Sequence, residues 1–418
     1  MDFNMENPSK KRNCILQEDE QRNDITSLPT EIALDIFSRL TISSLVQSRF
    51  VCRSWQILSR DRNLASLHLL EAARHDPLLI FHSDFPIRNQ LCFAEFSDTD
   101  DDAKGIVKKF NIPFSASMPE FTVVGSCNGL LCLCDSLYKD AVYIYNPFTN
   151  DYKELPKTRQ YDEELVVCGF GYHPETKQYK VVKIVYYWIV SIGDYPVRRI
   201  RTPSCSRSEV LVLSLGVNTW KNVGQVPYNL VRRAHGALFT CGRIHWLTRG
   251  VYNNVRGLII VSFDLADEKF HEVPRPDFSS PRDGRNYQLT SLKGCLSAVA
   301  YKYTTLYRDV EIWVMKEYNV KESWIKAFRI GGNIPKSPST KLPQPLRIWR
   351  NSYNKALVRV LCILENGEIL IEYEVGKLAL YDVATEKFKE VTFKGLPSIL
   401  RTVVHLGSLN QIDLPVNM

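Results

Sequence analysis

Apolar positions follow two different rhythms along this chain. From Leu28 to Leu58 they recur with a helical spacing. Beyond about residue 76 they come as short runs of Val, Ile, Leu, Tyr and Phe cut by turn residues. The first rhythm predicts a few short helices and the second a long series of strands. Residues 1–25, before either, are polar and are expected to form a disordered tail.

Leu28-Pro29-Thr30-Glu31 opens a helix. Proline suits the first turn, where its missing N–H is no loss, and Glu31 suits the positive end of the helix dipole. Ile32, Ile36 and Leu40 then fall at i, i+4 and i+8, with Phe37 beside them, as one apolar stripe. Ser43 is expected to cap a second helix, with Leu45, Phe50, Val51, Cys52, Trp55 and Leu58 as the apolar positions that follow. Two or three short helices in about forty residues bury only a small core. Several of these side chains must therefore stay exposed or cover a partner.

The strand-rich remainder repeats. Phe121–Cys127, Asn128-Gly129 and Leu130–Cys134 form a hairpin with an expected type I′ turn, and Val360–Glu365, Asn366-Gly367 and Glu368–Tyr373 form another. Cys241-Gly242 and Lys293-Gly294 stand in equivalent places. Each hairpin precedes a strand, a polar turn and an aromatic residue: Tyr152, Phe270, Trp324 or Phe388, with Trp220 ending a further copy. From Trp220 onward these aromatics are 50, 54 and 64 residues apart, which brackets a kelch-type propeller blade. Five blades are expected, at 119–158, 163–225, 233–275, 286–331 and 355–394. A sixth would be shared by the two ends, pairing Leu78–His82 and Leu91–Phe96 with Thr402–Leu406. The fold expected is mainly β with a small α module: three N-terminal helices over residues 26–70, then a β-propeller-like domain of five to six blades over 76–408. A closed ring is favoured because each blade has two apolar faces that only neighbours can cover.

Composition narrows the function. Among 418 residues, 44% are hydrophobic and 24% charged, which is ordinary for a soluble protein, and 21 Pro with 20 Gly exclude a coiled coil. The longest apolar stretch, Val181–Ile192, is interrupted by Lys183 and too short to span a bilayer, and no signal peptide is read at the start. A cytoplasmic or nuclear location is expected, with Lys10-Lys11-Arg12 a weak nuclear address. Eleven cysteines are then read as reduced thiols. The net charge of +7 lies wholly beyond residue 75, and it is too mild to indicate nucleic acid. Arginines collect instead in presumed loops. Charge runs are usually solvated, yet Arg and Trp are also frequent interface anchors. Arg198, Arg199, Arg201, Arg347, Trp349 and Arg350 are therefore the candidates for holding a target.

No catalytic, metal or cofactor site is expected. Gly125-Ser-Cys127-Asn-Gly129 has nucleophile-elbow spacing but leads into a strand, not a helix. Cys132 and Cys134 share a strand face near Cys127, without a second pair at zinc spacing. Gly332 to Lys336-Ser337 fails as a phosphate loop because Pro335 replaces the last glycine.

The helical segment resembles an F-box, the module that docks substrate receptors on the Skp-type adaptor of an SCF ubiquitin ligase. The residues that carry the resemblance are Ser27-Leu28-Pro29-Thr30-Glu31-Ile32, Ile36-Phe37-Ser38-Arg39-Leu40, Ser44-Leu45 and Phe50-Val51-Cys52-Arg53-Ser54-Trp55. Thr41 stands where the family usually has proline. The C-terminal part is similar to the F-box-associated domain of plant F-box proteins, through Gly125–Leu131, Tyr145-Asn-Pro-Phe-Thr149, Gly169–Pro174 and Tyr179–Lys183. The doubled glycine of true kelch repeats is nearly absent, so the kelch likeness is looser. The resemblance implies a non-catalytic substrate receptor, joined through the adaptor to cullin and RING subunits. It implies Leu28, Pro29, Ile32, Ile36, Leu40, Val51 and Trp55 as docking or module-core positions, with the target protein unknown. A scaffold without ubiquitin transfer, or a small-molecule receptor using the propeller channel, stays open beside it. No membrane partner is expected, and nucleic acid is disfavoured.

Overall fold

The structure, a computed structural model, describes residues 28–85, 89–94, 107–161, 165–192, 199–230, 237–252, 255–277, 285–302, 309–331, 358–373, 376–396 and 399–412. The side chains of some strand-end residues, Arg199 and Arg201 among them, are outside that description. The tail read over residues 1–25 lies outside it as well.

Four helices, rather than three, make the N-terminal module: α1 (Thr30–Ser38), α2 (Ile42–Ser48), α3 (Arg53–Leu58) and α4 (Arg62–Ala72). Helix α1 starts directly after Pro29 and carries Glu31 in its first turn. Helix α2 is capped by Thr41, whose hydroxyl accepts from Ser44 N at 3.2 Å, and not by Ser43. A cap must sit in extended backbone before the first helical residue; Thr41 does, while Ser43 is already inside the helix. The overlooked α4 has its own signal in Asp61, whose carboxylate accepts from Asn63 N and Leu64 N. Leu34, Phe37, Ile42, Leu45, Leu64 and Ala65 form the buried side of the module.

The rest is six four-stranded antiparallel sheets. The first contains β1 (Leu78–Phe85), β2 (Gln90–Ala94) and β3 (Lys108–Lys109). The second runs β4 (Phe121–Cys127), β5 (Leu130–Asp135), β6 (Val142–Tyr145) and β7 (Tyr152–Glu154). The third has β8 (Leu165–His173), β9 (Gln178–Ile192), β10 (Arg199–Ser214) and β11 (Lys221–Asn222). The fourth has β12 (Leu238–Thr240), β13 (Arg243–Tyr252), β14 (Val255–Asp264) and β15 (Phe270–Val273). The fifth has β16 (Arg285–Leu292), β17 (Cys295–Lys302), β18 (Asp309–Met315) and β19 (Trp324–Gly331), and the sixth β20 (Arg359–Ile363), β21 (Ile369–Tyr373), β22 (Lys377–Asp382) and β23 (Lys387–Val391). The last strand, β24 (Ile399–His405), returns to the first sheet as its inner edge, in the order β24-β1-β2-β3. Inner strands pack in a cycle, β24 on β4, β4 on β8, β8 on β12, β12 on β16, β16 on β20 and β20 on β24. The fold is a six-bladed β-propeller closed by its own ends.

The repeat has a physical reason. Trp220 Nε1 donates to Pro156 O at 2.6 Å, and Trp324 Nε1 to Pro274 O at 2.8 Å. In each case the recurrent aromatic of one blade is tied to the proline that ends the preceding blade. The hairpin turns are less uniform. Asn128-Gly129, Cys241-Gly242 and Lys293-Gly294 hold both central residues at positive φ, as a type I′ turn requires. At Asn366-Gly367 only the glycine does, because the Asn366 carboxamide oxygen accepts from Glu368 N at 2.9 Å and the loop widens to Leu364–Glu368.

Candidate functional site

Helix α1 is apolar on two sides. Ala33, Leu34 and Phe37 face inward, while Ile32 and Ile36, four residues apart, face out together with Leu28 before them. Their exposures are 48%, 38% and 37%. Pro29 is exposed, as are Phe50 and Val51 between α2 and α3, and Ile57 on α3. Asp35 and Arg39, at i and i+4, pair at 2.9 Å on the solvent side.

Leu40 and Trp55, placed with these residues by the sequence, sit elsewhere. Both are half-buried and pack against the module core. The Trp55 ring meets Phe37 edge-on, with centroids 5.1 Å apart. The Leu40 carbonyl accepts from His68 Nε2 at 3.1 Å. Burial holds the His68 imidazole below its ordinary pKa, so it is neutral near pH 7 with the Nε2–H tautomer set by that carbonyl. Leu40, Trp55 and His68 thus support the module, whereas Leu28, Pro29, Ile32, Ile36 and Val51 are displayed by it. Phe50 and Ile57 are equally exposed apolar residues that the sequence did not single out for docking.

The module is fastened to one end of the propeller. Leu34, Phe37, Ile42 and Leu45 share a single apolar cluster with Ile80, Phe93, Phe121, Leu131 and Tyr143 of the first two blades. His75 Nδ1 pairs with Glu365 Oε1 at 2.8 Å, and Glu365 N donates to Asp76 Oδ1 at 2.7 Å. Glu365 lies in the β20–β21 turn, so the helices cover the end that carries the turns between the first and second strands of the blades. The segment after β24 fills the join. Ser408 Oγ and Asn410 Nδ2 both donate to Asn128 O, at 3.0 and 2.9 Å. Buried Asn146 donates through Nδ2 to Ser408 O and Asn410 O.

These contacts account for motifs that looked chemical. Cys127 is a buried core thiol, with desolvation pushing its pKa far above the ordinary range, and Asn128-Gly129 is a clamped hairpin turn. Cys132 and Cys134 face the same core as Cys127. Among the described residues, no three His, Cys, Asp or Glu side chains gather to hold a metal, and no helix is long and apolar enough to cross a membrane. Of the proposed target residues, Arg199 and Arg201 belong to β10 without described side chains, and Arg198, Arg347, Trp349 and Arg350 lie outside the described residues.

An F-box-like model matches residues 25–66, and the F-box associated beta propeller domain model matches 77–411. The chain belongs to this F-box family. The F-box stands at the N-terminal end, and the associated propeller makes up nearly all of the rest. F-box protein At3g07870 of Arabidopsis thaliana is 45% identical over 403 residues, covering 94% of each chain. F-box protein CPR1 of the same plant is 28% identical, covering 92% of this chain and 89% of its own. F-box/kelch-repeat protein At3g23880, also of Arabidopsis thaliana, is 24% identical over 87% of this chain and 89% of its own.

Proposed function

We propose that this F-box protein is the substrate-recognition subunit of an SCF-type (cullin-RING) ubiquitin ligase. The observation that carries the reading is the outward pair Ile32 and Ile36 on a helix whose other face is already buried, continued by Leu28 just before the helix. A contiguous apolar row at the tip of a soluble molecule marks a surface that a partner covers, and F-box modules generally dock Skp-type adaptors. Leu28, Pro29, Ile32, Ile36 and Val51 are the docking residues, and Leu40 and Trp55 hold the scaffold that presents them. Through the adaptor the chain joins cullin and RING subunits.

The propeller holds the target. In antiparallel blades, strand ends alternate between two faces. The F-box covers the face of the first-to-second strand turns, which leaves the opposite face open to a target. The connections 193–198 and 332–357 leave from strand ends on that opposite face. This supports Arg198, Arg199, Arg201, Arg347, Trp349 and Arg350 as target contacts, suited to an acidic or phosphorylated partner. The chain itself is non-catalytic: it raises the effective concentration of target lysines near the ubiquitin-loaded enzyme and makes no covalent step of its own. Cytoplasm and nucleus are its expected compartments.

Reconstitution tests this. The full chain, co-purified with a recombinant Skp-type adaptor, cullin and RING subunit, should transfer ubiquitin to proteins it captures through the propeller. Adaptor capture without any transfer to a captured protein would leave a scaffold, and absence of adaptor capture would remove the ligase reading.

A further inference from the structure

Cys134 lies near the end of β5 in the second blade, and Cys168 lies in β8, the inner strand of the third. Their sulfurs meet across the seam at 3.7 Å and share a hydrogen bond. The seam also holds Lys183, which pairs with Cys168 across β8 and β9 and is fully buried. Its ammonium donates to Lys139 O at 2.9 Å, Asp140 O at 3.4 Å and Thr158 Oγ1 at 2.9 Å, all neutral acceptors. The rings of Tyr161 and Trp220 lie 5.9 and 5.2 Å from it. A cation with neutral acceptors in a dry seam favours an anion beside it. The Cys168 thiol is held below its ordinary pKa, first by the hydrogen bond with Cys134 and then by Lys183, while Cys134 is pushed up. Cys168 is also partly exposed, and Cys134 is buried. The sulfur with the lower pKa, on the residue that is not fully buried, therefore touches a second sulfur able to resolve it.

We propose that Cys134 and Cys168 form an oxidative modification site, which hydrogen peroxide converts to a disulfide joining the second and third blades. Cys168, as thiolate, attacks one peroxide oxygen. The O–O bond breaks, and the departing hydroxide takes up the proton that Cys168 released and leaves as water. Cys168 is now a sulfenic acid. The Cys134 sulfur attacks it, the S–S bond forms, the S–O bond breaks, and a second water leaves with the Cys134 proton. The two thiols lose two electrons, and the peroxide gains them. The link closes a segment between residues 34 apart and ties two blades together, beneath the 136–140 turn whose carbonyls hold Lys183.

The test uses the full chain treated with equimolar hydrogen peroxide, blocked with N-ethylmaleimide and digested without reduction. Tandem mass spectrometry should find the Cys168 peptide linked to the peptide bearing Cys134, two hydrogens lighter, with fragments placing the bond at Cys134 and not at Cys127 or Cys132. The thermal midpoint should rise on oxidation and return with dithiothreitol. Cys168→Ser should lose both the link and the rise. If that variant does not fold, the wild-type peptide map alone decides. Blocked, unlinked Cys134 and Cys168 beside an oxidised Cys241, which is exposed, would overturn the proposal. So would a link made through Cys127 or Cys132.

Discussion

Ile42 of the F-box lies directly on Gly407 of the segment that follows the last strand: a Cβ at Gly407 would fall 2.7 Å from Ile42 Cγ2 and 2.8 Å from its Cβ. Leu409, two residues on, enters the cluster that holds Leu34, Phe37 and Leu45. The same segment clamps the Asn128-Gly129 turn through Ser408 and Asn410. F-box and propeller thus share one core at this point. On the proposed function, this join would hold a bound target at a fixed distance and angle from the adaptor, as delivery of lysines to a distant enzyme requires.

Gly407→Ala therefore tests the join. The added methyl overlaps Ile42, and overpacking of this kind costs ~1–3 kcal/mol. The expected result is a lower unfolding midpoint and faster proteolytic separation of the F-box from the propeller. Ile42→Ala in the same chain removes the overlap with Cγ2 and Cγ1 and leaves only that with Cβ, so the double variant should lose less than the two single losses added together. Strict additivity would show that the two residues do not touch.

On the proposed function, docking and folding should separate on α1 and α3. Ile32→Asp with Ile36→Asp places charge on the outward face and leaves the buried Leu34 and Phe37 alone. Adaptor capture should fall at least thirtyfold, about 2 kcal/mol, with an unchanged melting curve. Trp55→Ala removes the ring that Phe37 packs on, so it should melt the module, at a cost of ~3 kcal/mol, and reduce capture only through that loss. Full capture by the aspartate pair would take α1 out of the interface.

This division was not readable from the sequence, and the reason is physical. Ile32, Ile36 and Leu40 form a stripe by spacing, but so do Ala33, Leu34 and Phe37. A helix with apolar residues on two sides does not reveal which side its own domain buries. The propeller was far more legible. Its blades are set by local turns and a repeated aromatic, and all five expected spans enclose the observed strands to within a residue. The shared sixth blade followed from apolar runs at both ends, such as Leu78–His82 and Thr402–Leu406. Short edge strand β3, with only Lys108 and Lys109, has no apolar pattern to find. The segment 406–412 was missed for a related reason: Ser408 and Asn410 work by side-chain hydrogen bonds to Asn128, some 280 residues away in sequence, and no periodicity records them.

Acid should loosen the propeller through two neutral histidines. His245 is fully buried, with Nδ1 donating to Leu238 O and Nε2 accepting from Tyr318 Oη at 2.8 Å. Burial, with Arg243 nearby, lowers its pKa to about 4. His405 lies between Ser126 and Phe148, and burial lowers it to about 3. In the unfolded chain both titrate near 6.5. The unfolded state thus takes up protons first as pH falls. The stability that these two histidines contribute is constant above about pH 7, and it drops progressively from about 6.5 down to 4 and 3. Urea midpoints at pH 7.5, 6 and 5 should show this slope, and it should be shallower in His245→Gln/His405→Gln. An identical slope in that variant would assign the acid sensitivity to other groups.

The blade-to-blade indole bonds carry the last prediction. Trp220 and Trp324 each reach the carbonyl of a proline in the preceding blade, Pro156 and Pro274. Trp324→Phe keeps an aromatic ring but leaves the Pro274 carbonyl without its donor. Losing a buried hydrogen bond with one partner left unpaired costs ~1–3 kcal/mol. Phe270 and Phe388 occupy the same place in other blades without an N–H, so phenylalanine is tolerated by the fold and the loss isolates the bond. Trp324→Phe and Trp220→Phe should each lower the urea midpoint, and their effects should add, since they act at different blade boundaries. A midpoint equal to wild type in both variants would show that ring packing, and not the indole bond, ties the repeat together.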